Sequence, residues 1–442
     1  MKKITHFIAA AALLTSTLTG CDKKLDVEPL NNAPTEKALL TSADVEAALI
    51  GTYDALQSRR LYAGQIQFMS ELLADAGELS FVGTYAQPGE AFRKSLLVNN
   101  AFVANTWTES YRLINTANSV LANISKVETA KRDRVEGEAK FLRAITYFEL
   151  VRLYARDWND GNPQANLGVP LVLTPTETID ASAQVSRNTV AEVYTQVIQD
   201  LTDAEAKIPT SNGVFATKYS ASGFLARIYL QQSRYADAAA AASRTIASGK
   251  VLVAYADEFT TTTNTTEDIF AVQITAQDAL NELTTYFSTL GRSDVEIQPQ
   301  HLALYEAGDA RRAFFKTSGG VVYTRKFDQP YGNVKVMRLA EMYLTRAEAN
   351  FRSGTTTGAT PLADINQIRS RAGLAPLTTL TLANILKERH LELAFEGFRL
   401  GDIKRNKENV GTISYNSTRL VYPIPQRELD TNRSLKQNEG YN

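Results

Sequence analysis

The chain has 442 residues and a mass of 48.6 kDa, which suits one large domain or two of ordinary size. Lysine and arginine number 47 against 48 aspartates and glutamates, so the net charge of -1 gives no general basicity for nucleic-acid binding, and 44% hydrophobic residues exclude a largely disordered chain. The single cysteine excludes an intrachain disulfide, and with only three histidines beside it a zinc site built from Cys and His is not expected. The 19 tyrosines and 18 phenylalanines suit a binding protein.

The first twenty residues have the pattern of a bacterial lipoprotein signal. Lysines at positions 2 and 3 precede an apolar run over 7–14, which is too short to stand as a membrane span. The segment Leu18-Thr19-Gly20-Cys21 places the only cysteine where a lipobox needs it, so we expect lipid attachment at Cys21. Residues 1–20 would be the signal peptide and 21–34 the lipid anchor and tether. The alternatives are a plain secretory signal and a cysteine that is buried there by chance.

The body of the chain shows mainly helical periodicity. Apolar residues recur three and four positions apart, and the last of the long runs ends at a proline. The pattern predicts helices over 43–56, 107–124, 135–154 and 189–208 and a helix pair over 219–248. A strand is predicted at Ile269–Ile274.

A small residue followed three positions later by tyrosine recurs along the helices. In the pair over 219–248, Ala226 and Tyr229 are followed by a second helix that begins near Tyr235, which is the arrangement of a tetratricopeptide unit. Alanine lets the partner backbone approach, and tyrosine fills the neighbouring groove. The same spacing returns at Ala144 with Tyr147 and at Ala340 with Tyr343, and Ala394 carries a degraded copy. The copies have no fixed period, so a continuous solenoid is excluded and long insertions must separate the helix pairs.

The C-terminal third carries three motifs. They are Val336–Ala349, which reads VMRLAEMYLTRAEA; Lys387–Asp402, which contains ERHLELAFEGFR; and Tyr422–Tyr441, which contains YPIP and QNEGY. In this order the motifs resemble the SusD/RagB family, the outer-membrane nutrient-binding lipoproteins of Bacteroidetes. The resemblance extends to the lipobox and most helical segments, and it is interrupted by insertions at 77–105, 156–185 and 275–306.

This resemblance implies a mainly α fold in which tetratricopeptide-like helix pairs support a loop-rich, ligand-binding half with a few short strands. A single domain over 35–442 would hold helical repeats near 107–155, 189–248, 335–372 and 382–406. The resemblance implies neither catalysis nor a cofactor. It implies a lipid-anchored protein of the outer membrane that faces the cell exterior and delivers a captured oligosaccharide to a SusC-like TonB-dependent barrel. A RagB-like peptide ligand and a tetratricopeptide scaffold without a transport role are the alternatives.

Ligand-binding residues are argued from chemistry, because the insertions match no family motif. Sugars present apolar CH faces, which stack on aromatic rings, and hydroxyls, which need polar partners. The candidates are Trp158; Asp75, Phe81, Tyr85 and Arg93; and Tyr286, Phe287 and Arg292. The alternative for Trp158 is that it plugs the edge of a helical repeat. Of the adjacent Tyr286 and Phe287, only one is expected to face a ligand.

The charged residues of the ERHLELAFEGFR motif are expected to be structural. Glu388, Arg389, Glu396 and Arg399 stand at helical spacings, where such pairs form charge networks that fix helix ends, and His390 is expected to be a polar helix residue. The sequence has no HExxH, GxSxG, P-loop or CxxC pattern to support familiar hydrolase or nucleotide-binding chemistry. We therefore expect no catalytic residue and no metal ligand.

Overall fold

Helices make up most of the protein. The computed structural model describes residues 39–177 and 184–441, so the predicted signal, Cys21 and the tether lie outside the described residues. The described residues from Thr41 onward form one compact unit. The described α-helices are α1 (Ser42–Leu56), α2 (Gln65–Ala74), α3 (Ala86–Phe92), α4 (Ala101–Ala122), α5 (Thr129–Tyr154), α6 (Val190–Lys207), α7 (Lys218–Gln231), α8 (Tyr235–Ile246), α9 (Tyr255–Phe259), α10 (Glu282–Phe287), α11 (Pro299–Leu302), α12 (Leu339–Ser353), α13 (Pro361–Arg371), α14 (Leu382–Glu392), α15 (Arg399–Asn406) and α16 (Gln426–Thr431). Within the described ranges, no helix combines the length and the apolar composition that crossing a bilayer requires.

Short polar side chains fix where several helices begin. At α6 the hydroxyl of Thr189 accepts the backbone N–H of Glu192, and the Glu192 carboxylate accepts the backbone N–H of Thr189 (2.7 Å). Thr41 and Asp44 form the same reciprocal pair at α1. Each reciprocal pair, known as a capping box, satisfies two N–H groups that have no partner inside the helix, so the sequence encodes these helix starts locally.

Successive helices pack side by side as an array. Helix α4 lies against α5, α5 against α6, α6 against α7, and α7 against α8. Helix α8 then packs on α12, although residues 247–338 separate them in the chain, and α12 packs on α13 and α14. The alanines of the repeated motif, Ala144, Ala226 and Ala340, are fully buried. The prediction of a mainly helical fold is confirmed, and small residues allow the close contacts.

Three two-stranded antiparallel sheets lie among the described residues. The strands are β1 (Leu79–Phe81), β2 (Asp268–Val272), β3 (Val295–Ile297), β4 (Phe315–Ser318), β5 (Val321–Thr324) and β6 (Val334–Arg338). Strand β1 pairs with β3, so that Leu79 faces Ile297, and β2 pairs with β6. Strands β4 and β5 form a hairpin whose turn glycines, Gly319 and Gly320, both have positive φ. Strand β2 corresponds to the strand predicted at 269–274.

The segment after α14 departs from the helical repeat. Ala394, where a degraded copy of the small-x-x-Tyr element is predicted, lies in a turn between α14 and α15 and not in a helix. The next residue, Phe395, has a φ of 68°, a left-handed conformation that ends helical geometry. The sequence signal was the small residue alone, and it does not report the backbone turn.

Candidate functional site

The insertions 77–105 and 275–306 are joined by the β1–β3 sheet. The N–H of Val82 donates to the carbonyl oxygen of Asp294 (2.9 Å), so the pairing continues one step beyond the strands. Gly83 follows, and a Cβ atom at this position would lie 2.5 Å from the Asp294 carboxylate. Glycine therefore lets the two insertions approach more closely than any other residue would allow.

Tyr85 and Arg292 form an exposed pair at this junction. The guanidinium carbon of Arg292 lies 4.1 Å from the ring centroid of Tyr85, which is a cation–π contact. Nε of Arg292 donates to Oδ2 of the buried Asp294 (2.7 Å), and Nη2 donates to the Thr84 hydroxyl (3.3 Å). The Tyr85 residue is 47% exposed and the Arg292 side chain 34%. We call Thr84, Tyr85 and Arg292 the Tyr85 platform.

The Tyr85 platform combines a flat apolar face with charged donors. The Asp294 carboxylate accepts a hydrogen bond from Nε of Arg292 and thereby fixes the direction of the guanidinium. A guanidinium held in this way can donate its outer N–H groups to a hydroxyl or carboxylate of a ligand. The phenol ring of Tyr85 can stack on an apolar ring face. The platform therefore suits a sugar ring, and it also suits polar or acidic peptide groups.

Tyr286 and Phe287, two of the predicted ligand residues, are core residues instead. Both lie on α10, and they are 2% and 0% exposed. Tyr286 stacks on Phe68 with ring centroids 4.0 Å apart and planes inclined by 3°. The ring of Phe287 lies 5.7 Å from that of Phe395. Rings without exposed surface cannot stack on a ligand, so both assignments are corrected to packing positions.

The other residues predicted in the first insertion have different surroundings. The Asp75 carboxylate accepts the backbone N–H groups of residues 77–79 at 2.8–3.2 Å, which orders the turn before β1. Burial raises the pKa of this carboxyl group. Phe81 is half-buried, with its ring 6.4 Å from that of Phe68, whereas Arg93 is exposed just after α3. Of the predicted set, the structure thus brings Tyr85 and Arg292 into direct contact.

Trp158 lies in the insertion 156–185 and packs on a repeat helix. Its half-buried ring has its centroid 5.1 Å from that of Tyr194 on α6. On either side of it, Asp157 accepts a hydrogen bond from the Gln231 side chain (2.5 Å), and Asn159 donates to the Gln231 carbonyl (2.9 Å). These contacts tie the loop to α6 and α7. They favour the alternative in which Trp158 plugs the edge of the repeat.

A second open surface lies between the first insertion and the C-terminal segment. It is a groove of about 650 Å³ whose lining includes Leu97, Asn99, Arg419, Gln426 and Tyr441. Nε of Arg419 donates to the carbonyl oxygen of Lys94 (2.9 Å) and holds the two segments together. The volume lies in the range of small-ligand pockets. The sequence places Tyr441 in a family motif but does not predict this groove, because the residues at 94–99 that line it with Tyr441 are distant in the chain.

The charges of the ERHLELAFEGFR motif belong to a buried network. Arg338 is 1% exposed and pairs with Glu267 (2.8 Å), Glu392 (3.1 Å) and Glu396 (2.7 Å), and we call these four residues the Arg338 cluster. Burial alone raises the pKa of Glu392, but Arg371 and Arg338 outweigh it and lower that pKa to about 2. Around the cluster, Glu388 pairs with Arg311 and Arg369, Arg389 with Asp402, and Arg399 with Glu408. The predicted charge networks exist, and most of their members are buried.

Two histidines converge on one carboxylate. Nδ1 of His301 lies 2.6 Å and Nε2 of His390 lies 2.7 Å from Oε2 of Glu78. The other ring nitrogen of His301, Nε2, lies 3.1 Å from the hydroxyl of Tyr305. Burial alone raises the pKa of Glu78, but the hydrogen bonds to the two imidazoles outweigh it and hold that pKa well below its usual range. His390 is therefore more than the polar helix residue that the sequence predicts. We call Glu78, His301 and His390 the His–Glu–His triad.

Two family profiles match the chain. The first, described as starch-binding and associating with the outer membrane, matches residues 23–230, and the second, the SusD family, matches residues 322–421. Among curated relatives, SusD-like protein P2 of Formosa agariphila is 27% identical over 241 residues, which are 54% of this chain and 44% of that protein. The chain therefore aligns with less than half the length of that relative.

Solved structures share the fold over most of the chain. A candidate sugar-binding protein from Bacteroides vulgatus superposes with a TM-score of 0.83 at 26% identity, over 92% of this chain and 100% of that one. A laminarin-binding SusD-like protein superposes with a TM-score of 0.76 at 25% identity, over 91% of this chain and 100% of that one. The two profiles, the helix-rich fold and these neighbours agree with the C-terminal motifs, and the chain belongs to the SusD/RagB family.

Proposed function

We propose that this chain is a carbohydrate-binding protein and that the Tyr85 platform contacts the sugar. The observation that carries the proposal is the contact between Tyr85 and Arg292, which two separate insertions build at an exposed junction. Exposed aromatic surface is unfavourable in water and often marks an interaction site. The Tyr85 ring is exposed beside an oriented guanidinium, which favours a binding role.

The surroundings of the platform favour binding over catalysis. Asp294, the acid that contacts the platform, is buried and its Oδ2 accepts from Nε of Arg292. A glycosidase needs two carboxyl groups that flank the scissile bond, one of them free to donate a proton. Asp294 instead orients a donor, so the platform is suited to hold a sugar without cleaving it.

The relatives support a sugar as the ligand class. One matching profile is described as starch-binding, one structural neighbour is a candidate sugar-binding protein, and another binds laminarin. We infer the same class of ligand for this chain, a glucan or another neutral glycan. A peptide is the alternative, since Arg292 and Tyr85 also suit a peptide, as in RagB-like proteins.

The binding test is calorimetric titration of laminarin- and starch-derived oligosaccharides and of a mixed peptide library. Tyr85→Ala should weaken sugar binding by about 1–2 kcal/mol, or about 5–30-fold, because one aromatic contact is lost. The thermal unfolding midpoint should hardly change, since the ring is half exposed. Phe351→Ala on α12, which removes a ring that is 37% exposed, is the matched control and should leave affinity unchanged.

Two results would contradict this proposal. Wild-type affinity in Tyr85→Ala, together with loss of binding on Tyr441→Ala or Leu97→Ala, would move the site to the 650 Å³ groove. Binding of peptides and of no tested glycan would favour the RagB-like alternative. Neither result depends on how the protein is anchored.

We further propose that the protein is held on the outer membrane through Cys21, faces the cell exterior and serves a SusC-like TonB-dependent barrel. Support comes from the lipobox and from a profile described as associating with the outer membrane. Cys21→Ala should shift the protein to the soluble fraction, and recovery in washed membranes without a partner would contradict the anchor.

The partnership is tested by gentle detergent extraction from native cells, which should co-purify a large β-barrel. Recovery of the free protein alone would contradict the partnership.

A further inference from the structure

The His–Glu–His triad joins three segments that are far apart in the chain. Glu78 stands immediately before β1, His301 lies on α11, and His390 lies on α14. One ligand atom from each residue can be chosen so that all three lie within 4.8 Å of one another. Two imidazole nitrogens and one carboxylate oxygen are the donor set that proteins use for divalent first-row transition ions.

The surroundings of His301 orient one of its nitrogens toward Glu78. The ring is fully buried, and the Tyr305 hydroxyl lies 3.1 Å from Nε2. If Nε2 donates its proton to that hydroxyl, Nδ1 presents a lone pair to the carboxylate, and two acceptors 2.6 Å apart require a cation or a proton between them. A buried histidine whose far nitrogen is held by a second residue is the usual arrangement of a metal ligand.

The triad also leaves a path for an ion and room for its bonds. His301 is buried, but the side chains of His390 and Glu78 are 17% and 26% exposed. Zinc bonds to nitrogen and oxygen are about 2.0–2.2 Å long, so tetrahedral donors stand about 3.4 Å apart. The two contacts to Glu78 are 2.6 and 2.7 Å, so the partly exposed carboxylate would have to move by less than about 1 Å. The ligand nitrogens of the two histidines, which can be chosen within 4.8 Å of each other, would have to take the same spacing of about 3.4 Å.

We propose that Glu78, His301 and His390 bind one divalent transition-metal ion, with Zn²⁺ as the best match to the donors. Three protein ligands leave a fourth position for water. The ion would tie β1 to α11 and α14, and so would hold the sheet that joins the two insertions. This role is structural and separate from sugar binding. Without an ion, both imidazoles donate to Glu78 as hydrogen bonds alone, which is the competing arrangement.

The test uses the purified protein without a histidine tag, stripped with EDTA and titrated with Zn²⁺ by calorimetry in the absence of sugar. We expect one Zn²⁺ per chain and, at about a hundredfold excess over the dissociation constant, a rise of about 2–5 °C in the unfolding midpoint. Mg²⁺ and Ca²⁺, which prefer sets of oxygen donors, should give neither result.

The variants Glu78→Gln and His390→Gln should each weaken Zn²⁺ binding at least tenfold and abolish the shift in midpoint. His301 is buried, so its replacement is avoided. Asp237→Asn, which removes an exposed acid on α8, is the matched control and should bind as the wild type does. Absence of Zn²⁺ binding by the wild type at 100 μM, or wild-type affinity in both triad variants, overturns the proposal and assigns the triad to hydrogen bonding. Sugar binding by the stripped protein would show that the two proposals are independent.

Discussion

The Arg338 cluster and the Tyr85 platform are built from the same kinds of residue but differ in burial and in the number of acids that pair with the arginine. Each sets an arginine over an aromatic ring, Arg338 at 5.1 Å from Phe259 and Arg292 at 4.1 Å from Tyr85, and each pairs that arginine with acid. In the cluster three carboxylates surround an arginine that is 1% exposed. In the platform one carboxylate holds an arginine that is 34% exposed. Burial and the share of donors already satisfied therefore separate the structural cluster from the proposed binding platform better than residue type does.

The first prediction tests the buried side of this comparison. Arg338→Ala leaves Glu267, Glu392 and Glu396 without their shared partner in the interior. Removing one member of a buried charge network typically costs about 3–5 kcal/mol of unfolding free energy. Urea denaturation followed by circular dichroism should show this loss as a lower midpoint with an unchanged slope.

An exposed ion pair is the control for that experiment. Arg234 and Asp237 pair at the start of α8 with side chains 45% and 50% exposed, so Arg234→Ala should cost less than about 1 kcal/mol. Equal effects of Arg338→Ala and Arg234→Ala would contradict the structural importance of the cluster. The buried cluster would then contribute no more to the free energy of unfolding than an exposed ion pair does.

Trp158 is the intermediate case, because its ring is half-buried against Tyr194. We expect Trp158→Ala to lower the unfolding free energy by about 2–3 kcal/mol, somewhat less than a fully buried aromatic ring is worth, while sugar affinity stays at the wild-type level. Thermal unfolding and calorimetric titration on the same preparation measure both quantities. An unchanged midpoint with weaker binding would restore Trp158 to the ligand site, where the sequence first placed it.

Glu71 is a useful contrast to the cluster, because it is a buried acid whose nearest arginine is farther away than Arg338 is from the cluster acids. Its carboxylate accepts the Gly397 N–H (2.7 Å), yet burial outweighs this bond and the charge of Arg399 and raises its pKa to about 7. The pKa of Glu392, inside the cluster, is about 2. The same burial therefore has opposite outcomes, depending on whether arginines lie within contact.

The raised pKa of Glu71 predicts a dependence of stability on pH. The folded pKa, about 7, exceeds the ordinary value of 4.5, so the neutral form stabilises the fold fully below pH 4.5 and this contribution is lost as the pH rises through 7. Glu71→Gln cannot ionise and keeps an acceptor for Gly397. Between pH 5 and pH 8 the variant should gain about 2–3 kcal/mol of stability relative to the wild type, measured by urea denaturation at both values. A constant difference across this range would contradict the assignment.

Local signals explain what the sequence could predict. The helix predicted over 189–208 is observed at Val190–Lys207, because Thr189 and Glu192 cap it and Pro209 follows. The burial of Ala226 and Ala340 is predicted by the small-x-x-Tyr spacing, in which a tyrosine stands three residues after each alanine. The charges of the ERHLELAFEGFR motif also form the networks expected of them. These features depend on neighbours within a few residues or on motifs that define the family.

The candidate site depended on contacts that the sequence does not encode locally. Tyr85 and Tyr286 both lie in insertions and looked equivalent, but Phe68 stacks on Tyr286 and removes it from solvent. The contact between Tyr85 and Arg292 exists because β1 pairs with β3, and these strands are more than two hundred residues apart in the chain. His301 and His390 likewise reach Glu78 from segments that are distant in the chain. Non-local pairing of this kind is visible only in the fold.

The smallest expected effect concerns how Arg292 acts on the exposed side of the comparison. Arg292→Lys keeps the positive charge but replaces the planar guanidinium, which lies over Tyr85 and donates to both Asp294 and Thr84, by a single ammonium group. We expect sugar affinity to fall by only about 0.5–1 kcal/mol, or about two- to fivefold, with little change in stability, because one cation–π contact at an exposed site is worth about that much. Calorimetric titration at two salt concentrations separates charge from shape. If affinity for a neutral glycan falls equally at both, the planar geometry is responsible. If the variant instead binds as the wild type does, and both proteins lose affinity as the salt concentration rises, charge attraction and not the stacked arrangement holds the ligand.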